Sequence, residues 1–321
     1  MNARHDEGVS LLVPYAGPVE SGHEQDVFVY LRPESNGVEV ESTIFKVIEK
    51  CPAYKDGIWL VYMANLSGPW MMRHHVVEHH YAIKLYFATH GKEALTPGVI
   101  AGFEKCYKTS FEDADIVGAF EALRRLDCGA EELFQTWVPR QDFCEVCGQT
   151  FKRIEDFYVV NYDIPALLHK NTAESDIAVM LFRISTGFDY FDELVGEMRD
   201  ALVKKELLSP KSHESRVFHI SKSPFEQILD AQGHLVDRSG DTYPLEEISF
   251  SRFLLNKGLE EETIRALVSQ PLVTIHGTNE LGEPYTLAEA ERHLYEWTTG
   301  DSYEVAYQKL KRIRSQYHFV I

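Results

Sequence analysis

Cysteine, basic charge and long apolar runs are all scarce in this chain, and each shortage removes a class of protein. Five cysteines among 321 residues are too few for the dense disulfide framework of a small secreted domain. The longest apolar runs, such as residues 58–64 and 177–182, fall far short of the roughly 20 residues that span a bilayer. Against 50 acidic residues there are only 32 Lys and Arg, a formal net charge of −18. That field repels phosphate, so whole-protein attraction to nucleic acid or to an anionic membrane is excluded. Residues 1–25 are polar and lack the basic start and apolar run of a signal peptide, so a soluble cytoplasmic protein is expected. Also missing are a Walker loop, a dinucleotide fingerprint, a Gly-x-Ser-x-Gly elbow, kinase motifs and an EF-hand loop.

What remains is an ordinary globular composition, 44% hydrophobic and 26% charged, with aromatics enough for a substantial core. Residues 27–31 are β-branched and aromatic and read as a strand; residues 58–63 read as a second, buried on both faces. Helical spacing recurs at residues 44–51, 70–90 and 189–208. Ser223-Pro224-Phe225-Glu226 combines a cap, a first-turn proline and a capping glutamate, a strong helix start. Residues 216–220 suggest a short strand. Thr286 and Glu289 open a helix expected to reach Gly300, and a last helix is expected over 303–316. The expected fold class is α+β, predominantly helical with a small mixed sheet and room for two subdomains. The division expected is a polar lead over 1–26, an α/β subdomain over 27–140 carrying a histidine-rich helix, and a helix-rich C-terminal subdomain over 141–321.

That histidine-rich stretch, Arg73-His74-His75-Val76-Val77-Glu78-His79-His80-Tyr81, concentrates more chemistry than any other. On a continuous helix over 70–89, His75 and His79 stand one turn apart on one side, the arrangement in which two imidazoles share a zinc ion. Glu78 beside them is a candidate ligand or general base. His75 to His79 also satisfies the H-x-x-E-H pattern of the inverted zinc proteases, a resemblance confined to those residues. Most of the same helix is apolar, so packing of the histidines in a core or an interface is the competing explanation.

Cys144-Glu145-Val146-Cys147-Gly148 resembles the first half of a zinc finger: two thiolates on a glycine-closed turn can grip one side of a tetrahedral zinc. Two more ligands are then required, and Cys128, His169 or an acidic side chain are the candidates. Cys51, Cys106 and Cys128 read as reduced, packed thiols. Asn65, Ser67 and Gly68 lie between a buried strand and a helix start, where backbone N–H groups can hold an anion.

The function favoured by these observations is a non-catalytic protein-interaction or regulatory module, with a protein partner and no nucleic acid or membrane. The alternative is a metal-dependent hydrolase with zinc on His75 and His79 and Glu78 at the catalytic position. Whether that cluster is a site or buried packing decides between them.

Overall fold

In a computed structural model the described residues are 8–19, 23–33, 35–54, 56–185, 187–210 and 217–320. Glu34, in the turn after the first expected strand, and Arg216, at the start of the short one, lie outside them. The chain divides into two compact units, each assembled from separate stretches. Unit 1 comprises Met1–Val76, Asn171–Arg265 and Thr298–Tyr307; unit 2 comprises Val77–Lys170, Ala266–Trp297 and Gln308–Ile321. Both therefore draw chain from each side of residue 140.

The expectation of a predominantly helical chain with one small sheet is overturned. Helix accounts for 44% and strand for 22%, and the twelve described strands build three sheets, a mixed α/β architecture. The error has a physical source in short, polar strands. Glu291–His293 and Ile313–Gln316 lie inside stretches whose spacing and caps suit a helix, but both pair with the apolar strand Leu272–Ile275. Thr286 does form the expected capping box with Glu289, yet the helix it starts is only Leu287–Ala290. Pairing with a buried strand outweighs the weak helical preference of such segments.

Unit 1 is built on a five-stranded sheet, ordered Val9–Val13, Ile58–Ser67, Asp176–Ile184, Gln25–Leu31 and Phe218–Ile220. Every neighbouring pair is antiparallel. Side chains alternate between faces along a strand. Val27, Val29 and Leu31 accordingly enter one core with Ile44 and Ile48 of the helix Val38–Lys50 and with Phe191 and Met198 of Phe188–Lys204. Tyr30 points to the other face, against the helix Pro224–His234. Helices on both faces explain why the strand over 58–63 shows no polar alternation.

Unit 2 has a four-stranded sheet ordered Ile116–Gly118, Phe157–Val160, Gln149–Ile154 and Phe143–Val146, plus the three-stranded sheet around Leu272–Ile275. Phe151, Tyr158 and Val160 pack with Phe103 and Phe87 in one core, while Phe157, Val159 and Ile154 pack with Ala122, Leu133 and Ile164 in another. Among the described residues no helix is long and apolar enough to cross a membrane.

Candidate functional site

The helix expected over 70–89 is divided into Gly68–Arg73, Val76–His80 and Ala82–His90. The break falls at His74 and His75: His74 stacks on Trp70 at 4.4 Å, and His75 takes the left-handed conformation, φ 50°. A non-glycine residue there ends helical register, so the one-turn spacing that would align His75 with His79 is lost. His75 and His79 are exposed and Glu78 is partly buried.

The two cysteines of the half-finger have different surroundings. Cys144 is buried on the strand Phe143–Val146, its thiol pushed up by burial, with Cys106 adding to the rise. Cys147 sits in the hairpin turn at φ 47°, its thiol pushed up to about 12 by burial, with Glu291 and Glu296 adding to the rise. Cys128 joins the other core of the unit. Cys106, expected to be packed, is exposed.

The amides of the expected anion loop are engaged within the fold. Gly68 N donates to Ser175 O at 2.7 Å, and Trp70 N donates to Ser67 Oγ at 3.3 Å. A Cβ on Gly68 would lie 1.9 Å from the Thr172 carbonyl oxygen, so the neighbouring backbone packs directly on this glycine. Asn65 lies on the strand leading into this turn, its Oδ1 buried.

A different cluster in unit 1 draws imidazoles and carboxylates together. The strand Phe218–Ile220 pairs with Gln25–Leu31 so that His219 lies opposite Tyr30. Ser221 fixes that register, its Oγ accepting a hydrogen bond from Phe28 N at 2.8 Å. The chain then turns into the helix Pro224–His234, started as its sequence demands. Ser223 Oγ accepts from Glu226 N at 3.1 Å, and Glu226 Oε2 accepts from Lys222 N at 2.7 Å. Glu226, Asp230 and His234 follow at successive four-residue steps, and therefore on neighbouring positions of one face.

Tyr30 is sandwiched between the two imidazoles, with ring centroids 4.5 Å from His219 and 4.3 Å from His234, both nearly parallel. His219 Nε2 is 3.2 Å from Asp230 Oδ2 and 3.7 Å from Glu226 Oε1. The Asp230 side chain is 0% exposed, whereas that of His219 is 13% exposed, so solvent reaches the imidazole and not the carboxylate behind it. His234 Nδ1 meets the Asp230 carbonyl at 2.9 Å, and the His234 carbonyl accepts from Tyr62 OH at 3.0 Å. Tyr62 OH also accepts from Val236 N at 3.2 Å, which holds the end of the helix.

Burial governs the charges. It pushes His219 down to about 4, against the pull of Glu226, and His234 down to about 4. It raises Asp230 well above the usual carboxylate range, opposed by Arg32, and raises Glu226 as well. Both shifts favour the uncharged imidazole, the state that ligates a metal. The donor atoms of His219 and Asp230 are close enough to share one ion.

None of these residues stands out in the linear sequence, although one signal was legible. Glu226, Asp230 and His234 recur at helical spacing directly behind a helix start that was itself readable. What could not be read was the cross-strand pairing that brings His219 to them. Comparison with protein-family models, with curated proteins and with solved structures returns no match.

Proposed function

We propose that the protein is a metal-dependent hydrolase of the zinc class, with the ion held in unit 1 by His219 and Asp230. The observation that supports this reading is the donor geometry: an uncharged imidazole nitrogen 3.2 Å from a buried carboxylate oxygen and 3.7 Å from a second carboxylate. Zinc bonds to nitrogen and oxygen at tetrahedral angles leave neighbouring donors roughly 3.3–3.6 Å apart. Glu226, whose side chain is 20% exposed, is placed to accept a proton from a water held at the ion. An ion bound there would supply a polarised water for hydrolysis of an ester or phosphoester, with Glu226 as the group that would take its proton.

Elemental mass spectrometry of protein purified without an affinity tag tests it. About one equivalent of zinc per chain is expected, lost in His219→Gln and in Asp230→Asn. Glu226→Gln should keep the metal and lose turnover of model esters and phosphoesters. A wild-type chain that takes up no zinc after dialysis against it would overturn the proposal.

A second reading, interaction with a protein partner, is favoured by one feature of unit 2. Trp137 is 82% exposed on a segment held in place by Lys152, whose ammonium donates to Phe134 O at 3.0 Å and Thr136 O at 2.8 Å. An aromatic anchor on a fixed loop is the usual centre of a binding surface. Glu131, Glu132 and Glu145, exposed on the flanking helix and strand, favour a partner with basic residues around an apolar pocket. Proximity cross-linking should identify a partner held by the wild-type chain and released by Trp137→Ala; identical cross-links in both would dismiss this reading.

A further inference from the structure

The half-finger cysteine Cys144 has a sulfur neighbour across the fold as well as one along the chain. The helix Pro97–Tyr107 lies directly on the strand Phe143–Val146. Gly102 permits this approach, since a Cβ there would stand 2.2 Å from Val146 Cγ1. Cys106 is one helical turn beyond Gly102 and so on the same face of the helix; Cys144 is two residues before Val146 and so on the same face of the strand. The two thiols consequently face each other, close enough that Cys106 adds to the upward push on the Cys144 thiol. Tyr107, next along the helix, secures the contact: its hydroxyl reaches Phe151 O at 3.1 Å and Asp142 O at 3.3 Å, tying the helix end to the hairpin.

We propose that Cys106 and Cys144 are a redox pair that closes a reversible disulfide between helix and sheet in unit 2. The two sulfurs differ in access in the way such a pair requires: Cys106 is exposed and Cys144 buried. With a disulfide oxidant such as oxidised glutathione, the Cys106 thiolate attacks one sulfur, forming a mixed disulfide and expelling one glutathione thiolate. Cys144 then attacks the Cys106 sulfur, and the second glutathione leaves as a thiolate that takes up the Cys144 proton. Two protein thiols lose two electrons, and one oxidised glutathione becomes two reduced ones. Because burial holds the Cys144 thiol protonated, the second step is the slower one and the adduct on Cys106 accumulates first.

The test is native full-length protein incubated with oxidised glutathione, quenched with iodoacetamide at intervals and read by intact mass and peptide mapping. The expected record is a transient glutathione adduct on Cys106, followed by a cross-linked peptide pair containing Cys106 and Cys144. Cys147→Ser should leave that pair intact, whereas Cys106→Ser, at an exposed position that folding tolerates, should abolish it. A bond between Cys144 and Cys147 instead, or an adduct on Cys106 that never converts while circular dichroism shows the chain folded, would overturn the assignment.

Discussion

Asp26 and Asp230 are both buried carboxylates of unit 1, and loss of water raises both, yet their neighbours differ in kind. Asp26 is closed off by a permanent cation. Arg183 donates to it twice, at 2.9 Å and 3.1 Å, and Ser249 Oγ supplies a further hydrogen bond. The Asp26 amide donates to Tyr303 OH at 3.1 Å, and Tyr303 in turn donates to Gln227 at 2.8 Å. Asp230 instead faces the uncharged imidazole of His219. A guanidinium does not give up its proton, so the first cluster can only hold the fold together. An imidazole exchanges its proton for another proton or for a metal, so the second has chemistry to offer.

The contrast can be broken most directly at Arg183. Arg183→Met leaves Asp26 buried without its cation and should cost about 3–5 kcal/mol in denaturant unfolding. Asp230→Asn, by comparison, keeps a hydrogen-bonding side chain beside His219 and should change stability by less than about 1 kcal/mol. Equal losses in the two variants would erase the distinction. Next in size, zinc at a hundredfold excess over its dissociation constant should stabilise the wild-type chain by about 2.7 kcal/mol, and a chelator should remove the gain. His219→Gln should show no such gain in a thermal melt.

A half-buried histidine of unit 2, His293, sharpens the comparison by lacking the carboxylate. Burial pushes His293 down to about 3, and its Nδ1 finds no hydrogen-bond partner among the described residues. The unfolded chain takes up a proton at this residue below about pH 6.5, the ordinary histidine value, whereas the folded chain does not until about pH 3. Its contribution to stability is therefore full above that window and falls as pH drops through it, by at most about 1.4 kcal/mol per pH unit. Urea unfolding at pH 7 and pH 5 should show a smaller acid loss in His293→Gln than in the wild type. A modest effect is expected at Ser223, whose removal as Ser223→Ala should cost about 1 kcal/mol of helix capping without touching a donor atom.

Local signals in the sequence reported local structure well. The strand over 27–31, the start at Ser223 and the capping box at Thr286 all depend on neighbours in the chain, and all are present. The hairpin over 143–154 was hidden because its polar, cysteine-bearing sequence suits a loop as well as an edge strand. The continuous helix expected over 70–89 fails for a related reason: wheel geometry presumes an unbroken helix, and His75 ends one. His219 and Asp230 meet because an antiparallel register and a helix packed on that sheet face bring them together. Spacing along the chain carries no record of such pairings.

The discontinuity of unit 1 has a consequence for the making of the protein. Ile58–Ser67 and Gln25–Leu31 both pair with the central strand Asp176–Ile184, and Tyr303 joins the Asp26 network last of all. During synthesis the early strands leave the ribosome with open edges and wait through the whole of the intervening segment for their shared neighbour. This is the interval in which a nascent chain is open to mispairing, and in which a chaperone that shields strand edges would have its greatest effect.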